Sequence, residues 1–277
     1  MRNINEEYRV LTSEILNSGT PKDDRTGVGT LSKFGYTLVH DMALGFPLLH
    51  IKKVSFKAAK VELMWILQGR TDLKYLEDNG VRYWRPDYER SGRTDGTLGP
   101  VYGKQWRDFS GIDQMYDLSL QLHNNPNSRR MIVSAWNPAD MKDMALPPCH
   151  YGFQCYVNDG KLDLMWQQRS VDVFLGLPYD IAMYGLLLEL LAKGHNLKPG
   201  RLIGQLGDCH LYNNHLDAAR TIMYRDPSIY DCPTLELDTS GVYINHRNEI
   251  NIPELDDMKL HNYKHMGEVK APLNVGN

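Results

Sequence analysis

Apolar positions along the chain change period several times, and each change predicts an element. Residues 4–17 set Tyr8, Leu11 and Ile15 on one face at helical spacing, with Gly19 just beyond, which predicts an amphipathic helix. Strand-like text follows at 30–40. Residues 55–67 (SFKAAKVELMWIL) predict a largely buried helix, and 112–123 an amphipathic one. MIVSAWN at 131–137 reads as a buried strand. Residues 153–168 (FQCYVNDGKLDLMWQQ) read as a hairpin whose turn is marked by Asn158-Asp159-Gly160. The segment 181–193 (IAMYGLLLELLAK) is apolar nearly all round and predicts a buried helix, with Asp180 at its N-cap and Gly194 past its end. A strand over RLIGQLGDC, a helix near 213–224 and short strands complete the order. That order predicts an α+β fold, with helices covering a mostly antiparallel or mixed sheet. No repeat, low-complexity segment or linker interrupts it, so residues 1–277 are expected to form a single domain.

Composition narrows the function classes. Apolar residues make up 42% of the 277 residues, enough for a substantial core. The 31 basic and 34 acidic residues nearly cancel, which argues against duplex nucleic acid or an anionic membrane as partner. No apolar run reaches the roughly 18 residues needed to span a bilayer. The opening stretch MRNINEEYRVL carries acids and no signal-like apolar run, so the expected location is the cytosol. Cys149, Cys155, Cys209 and Cys232 form no C-x-x-C pair, which speaks against zinc or a disulfide framework.

Four segments could carry chemistry. In ALPPCHYGFQ (145–154) two prolines hold the chain extended before Cys149, and His150 follows; this is a nucleophile beside an imidazole, or a structural cysteine. Arg25, Arg129, Arg130 and Arg169 stand at turns and strand ends close to the expected core, where planar guanidinium groups suit phosphate; surface ion pairs are the alternative. In RSVDVFLGLPYDIAMYG (169–185), Ser170, Asp172 and Asp180 interrupt an apolar run and need partners, from backbone or ligand. In LGDCHLYNNH (206–215), His210 and Tyr212 alternate onto one strand face, with His215 as a further candidate; no spacing there matches a metal-ligand pattern.

Taken together, DRTGVGTLSKFG, GFPLLHIKK, TLGPVYGKQWRDF, NPNSRRMIVSAWNPADMKDMALPPCH, QRSVDVFLGLPYDIAMYG and LGDCHLYNNHL resemble the thymidylate synthase family from Arg25 to KAPLNV at 270–275. The resemblance implies a sheet-mediated homodimer that uses 5,10-methylenetetrahydrofolate as co-substrate, without a metal, on a pyrimidine deoxynucleoside monophosphate. It implies Cys149 as the nucleophile that adds to C6 of the ring, and Glu62 as the acid/base that relays protons through water. Tyr102 and His150 would stand near the thiol. Arg25, Arg169 and Ser170 would bind the phosphate, joined by Arg129 and Arg130 from a second subunit, and His210 and Tyr212 would hold the sugar hydroxyl. Asp172 would contact substrate and folate, and Lys52, Trp84, Leu175, Gly176 and Tyr179 would contact folate.

One departure bears on the substrate. At the position of Asp180 the family has asparagine, whose amide donates to uracil O4 and accepts from N3–H. Cytosine reverses both groups, and a carboxyl group fits the reversed edge, as in the sister dCMP hydroxymethylases. Mispaired buried polar groups can cost roughly 10⁴ in discrimination, so dCMP is the favoured substrate, with an ordinary dUMP-using thymidylate synthase as the alternative. Methyl and hydroxymethyl products both stay open. Arg85, Pro86, Asp87 and Tyr88 depart from the family after Trp84, and Gly276 and Asn277 extend past Val275, where the family has a terminal-carboxylate latch. A non-catalytic nucleotide or RNA binder, and a Cys-His hydrolase, fit these residues less well.

Overall fold

The computed structural model describes residues 3–274; Val275, Gly276 and Asn277, on which the latch expectation rests, lie outside them. A six-stranded sheet forms the centre, built from β1 (Thr20–Lys22), β2 (Thr30–Asp41), β3 (Ile132–Ser134), β4 (His150–Asn158), β5 (Lys161–Asp172) and β6 (Lys198–Tyr212). Its order is β1-β2-β6-β5-β4-β3. Only the β5–β6 pairing is parallel, so the sheet is mixed, as the element order predicts. A parallel pair needs a long crossover, and α7 (Leu177–Gly194) supplies it. The other helices are α1 (Ile4–Ser18), α2 (Phe56–Leu67), α3 (Leu73–Asp78), α4 (Arg85–Arg90), α5 (Tyr102–Arg107), α6 (Gln114–Asn124) and α8 (Leu216–Met223). Two small ribbons, β7 (Thr234–Leu237) with β10 (Met258–His261) and β8 (Tyr243–Ile244) with β9 (Ile250–Asn251), follow α8.

Local chemistry explains most boundaries. Asn3 and Glu6 form a capping box that starts α1, and the Ser55 hydroxyl caps α2. Asp159 and Gly160 both take positive φ, 48° and 72°, which turns the β4–β5 hairpin with the right twist. Along β5 the alternation is regular: Leu162, Leu164, Trp166 and Gln168 are buried. They face the helical layer, where α7 is buried on nearly every side.

Several expectations need correction. Asp180 does not cap α7; the helix already starts at Leu177 after Gly176, with Pro178 in its first turn, where a missing N–H costs nothing. Gly194 lies within the helix rather than past it. A Cβ there would sit 2.2 Å from the Val242 carbonyl oxygen, so the glycine serves close packing, and Asn196 takes the left-handed turn (φ 56°). The strand expected over 131–137 shrinks to β3 at the sheet edge, with Ile132 and Trp136 exposed rather than buried. Arg25, Arg129, Arg130 and Arg169 are all exposed, not held against the core. The short helices α3, α4 and α5 were not anticipated; six residues carry too little periodicity to read.

Candidate active site

Residues from five regions converge on one cavity of about 430 Å³. α2 contributes Glu62, the turn into α4 contributes Trp84, and α5 contributes Tyr102. The loop before β4 brings Cys149, and β4 itself begins with His150. The end of β5 and the start of α7 add Ser170, Asp172, Leu175, Gly176, Tyr179 and Asp180. These eleven are all residues the sequence nominated. A two-residue inward alternation on β5, followed directly by the first turn of α7, is what folds so many of them onto one wall.

The thiol sits in a braced turn. Pro147 and Pro148 leave their carbonyls unused by local structure, and Arg169 donates to both, at 3.0 and 2.9 Å. The Cys149 N–H donates to the Tyr102 hydroxyl (2.9 Å), and its carbonyl accepts from the Arg169 backbone N–H. Burial pushes the thiol up to about 11. Asp180 and Asp87 add to that rise, while Arg169 and Arg25 oppose it. His150 does not partner the thiol. Its Nδ1 meets the Tyr184 hydroxyl at 2.9 Å, its ring stacks on Tyr102, and burial lowers it to about 3, so it is neutral.

Two carboxyl groups enclose the rest of the cavity. Glu62 accepts from the Tyr83 hydroxyl (2.6 Å) and the Trp84 indole (2.7 Å), and burial outweighs both donors to raise its pKa. Asp180 accepts from Gln168 Nε2 at 2.9 Å. Burial lifts it to about 7, with Glu62 and Asp172 adding to the rise and the Gln168 amide opposing it. Asp172 is turned the other way: its Oδ1 accepts the N–H groups of Phe174 and Leu175, shaping the turn into α7. A thiol, two carboxyl groups of raised pKa and a phenol within one cavity are the parts needed for nucleophilic addition with proton relay.

The sequence model of the family described as Thymidylate synthase matches residues 6–275. The chain belongs to the thymidylate synthase family. As a member it is a folate-dependent transferase that moves a one-carbon unit from methylenetetrahydrofolate to C5 of a pyrimidine nucleotide.

Other nominated residues of this thymidylate synthase relative lie around the cavity rather than in its wall. Lys52 is buried, with its Nζ donating to the Phe174 carbonyl (2.6 Å) and lying 3.9 Å from that ring. Burial lowers it to about 8, with Asp172 opposing. His210 and Tyr212 pack edge to face at 5.3 Å, so the alternate spacing does place them together. Burial works to lower His210, but Asp208, which accepts from Ser32 Oγ (2.6 Å), and the charge of Asp172 together more than offset it and raise its pKa. His215 is fully buried; its Nε2 donates to the Pro272 carbonyl (2.7 Å), tying down the segment that brings Ala271 and Leu273 to the cavity. Arg129 and Arg130 stand just before edge strand β3, exposed in the single chain. Among the described residues no group of three or more His, Cys, Asp or Glu is placed to hold a metal ion.

Sequence reading missed Tyr83, Asp87, Leu146, Gln168, Ala271 and Leu273 as lining residues. Gln168 carried a signal: it is a polar residue at an inward position of an otherwise apolar alternation, and such a group needs a buried partner. Tyr83 carried none, because its contact with Glu62 depends on how α2 and the α4 turn pack.

Proposed function

We propose that this chain acts on dCMP, through a transient bond between Cys149 Sγ and C6 of the cytosine ring. The carrying observation is Asp180, a half-buried carboxyl group on the cavity wall that shares the site with Cys149 and Glu62 and that desolvation lifts to about 7. In its neutral form it offers one donor and one acceptor, the pair that cytosine N3 and the 4-amino group require. A neutral Asp180 also removes one of the carboxylates that hold the thiol protonated. One proton on Asp180 thus favours both base pairing and the thiolate.

In this reading Cys149 adds to C6, the ring electrons move to C5, and C5 bonds to the methylene carbon that the folate supplies. Loss of the C5 proton and departure of tetrahydrofolate leave an exocyclic methylene at C5; water or hydride adds to it, and expulsion of Cys149 restores the ring, with Glu62 relaying protons. Arg25, Arg169 and Ser170 bind the phosphate, and His210 and Tyr212 hold the sugar. The faces of Trp84, Leu175 and Tyr179, with Gly176 beside them, suit a flat heterocycle such as the folate pterin. Phe34, Ile132, Tyr151 and Tyr156, all on sheet strands, are exposed. That apolar surface supports a homodimer joined through the sheet, with Arg129 and Arg130 completing the partner's phosphate site.

Addition of water rather than hydride to the transferred methylene, giving hydroxymethyl, is supported by Asp87. It lines the cavity from α4 and pairs with Arg90 (2.6 Å), putting polar groups where a methyl-forming site needs dryness. The test is mass analysis after incubation with methylenetetrahydrofolate and either nucleotide. A gain of CH₂O on dCMP is expected. A gain of CH₂ on dUMP, with the absorbance rise of dihydrofolate, overturns the reading.

A further inference from the structure

Gln168 is 3% exposed and Trp166 is fully buried, so neither amide nor indole has water to fall back on. Trp166 Nε1–H can only donate, and it donates to Gln168 Oε1 at 3.1 Å. The Ser170 carbonyl can only accept, and it accepts from Gln168 Nε2 at 3.1 Å. Rotating the amide by half a turn would set donor against donor and acceptor against acceptor, a mispairing that a buried site strongly resists. Two groups that never titrate therefore fix the amide, and its remaining N–H points at Asp180 Oδ2 (2.9 Å).

The indole is itself held firmly. Its ring stacks on Tyr184 with centroids 5.4 Å apart and planes 9° apart. The residue opposite it on β6 is Gly204, where a Cβ would lie 2.6 Å from the indole carbons. Only glycine leaves that space.

This arrangement bears on base choice, and the argument rests on the proposed pairing of Asp180 with the base. Cytosine and uracil present opposite orders of donor and acceptor. A neutral carboxyl group has two tautomers, and each matches one order. Whatever decides which oxygen holds the proton decides the base. We propose that Trp166, acting through Gln168, is a specificity-determining positioning residue that keeps Asp180 Oδ2 an acceptor and so restricts Asp180 to one tautomer. Free amide rotation would let Gln168 present either its oxygen or its nitrogen, and both tautomers would then be served.

The test compares kcat/KM for dCMP and dUMP in wild-type protein, Trp166→Phe, Gln168→Met and the double variant. Trp166→Phe keeps a ring against Tyr184 while it loses the donor and one ring of the indole. The ratio of the two kcat/KM values cancels any fraction of unfolded protein, so loss of folded enzyme alone leaves it unchanged. Each single variant is expected to lower the ratio about tenfold, the factor set by about 1.4 kcal/mol. The double variant is expected to fall no further, because Trp166 works only through Gln168. Ratios equal to wild type in both single variants, or a Trp166→Phe effect that persists in the Gln168→Met background, overturn the positioning role. A wild-type preference for dUMP would instead overturn the proposed substrate, and the change in ratio on mutation would still judge the lock.

Discussion

The two ends of the candidate site differ in how they treat charge. At the base end Cys149, Glu62, Asp180 and His150 are enclosed, and burial pushes each toward its neutral form. At the end proposed to hold the phosphate, Arg25, Arg169, Arg129 and Arg130 are all exposed. Within the buried end Asp180, lifted to about 7, is the group placed to give or take a proton near neutrality. The exposed end keeps its full charge in water until an anion arrives. Chemistry and affinity should therefore separate cleanly when residues are changed at one end or the other.

The sharpest break is at the thiol. Cys149→Ala is expected to lower turnover on the order of 10⁴-fold or more, as loss of a covalent nucleophile does. It should also abolish the stable adduct formed with a 5-fluoropyrimidine deoxynucleotide plus methylenetetrahydrofolate, read by intact mass. Full turnover in this variant would remove the nucleophile from the account. Next comes Asp180→Asn, which exchanges a titrating acid for an amide of fixed order. The preference should move from dCMP toward dUMP by roughly 10²-fold or more. The pH profile carries a sign as well. If protonated Asp180 serves cytosine, kcat/KM for dCMP falls as pH rises through about 7, and the asparagine variant lacks that limb.

At the other end the effect is smaller and of another kind. Arg130→Ala is expected to raise KM for the nucleotide about tenfold with kcat little changed, since one charge-assisted contact to phosphate is worth about 1.5 kcal/mol or more. Mixing this variant with Cys149→Ala protomers should restore some sites if arginines cross between subunits. An unchanged KM would break the comparison at its exposed end.

How much of this was legible in the sequence follows the same divide. The thiol, Glu62 and Asp180 sit in segments whose text is distinctive, and β5 running into α7 brings their neighbours along by simple alternation. The long helices and the β4–β5 hairpin follow from periodicity and turn chemistry. Asp180 was misread as a cap because a polar residue before an apolar run looks the same whether it starts a helix or sits one turn inside it. The arginines were misjudged because strand ends say nothing about which side solvent reaches. Gln168 escaped notice although its place in the alternation marked it, because its role depends on Trp166 and Asp180 together.

A second comparison, within α7 alone, separates burial from function. Asp180 and Glu189 are both raised to about 7 by burial. They lie nine residues apart, about two and a half turns, and so on opposite sides of the helix. Asp180 faces the cavity and the Gln168 amide, whereas desolvation alone raises Glu189. The folded-state pKa of Glu189 exceeds its ordinary 4.5. The stability it contributes is therefore full below that value and is lost as pH rises toward about 7. Above that the fold carries a half-buried charge with no ion-pair partner among the described residues. Glu189→Gln should leave Tm unchanged near pH 4 and raise it at pH 8 by roughly 2 °C, the shift that about 1 kcal/mol gives in a chain of this size. Base selectivity and kcat/KM should stay at wild-type values. A thermal scan at the two pH values, beside the two-substrate assay, decides it. A changed dCMP to dUMP ratio in Glu189→Gln would mean that a shifted carboxyl group on either side of α7 bears on the base, and that the cavity does not set Asp180 apart.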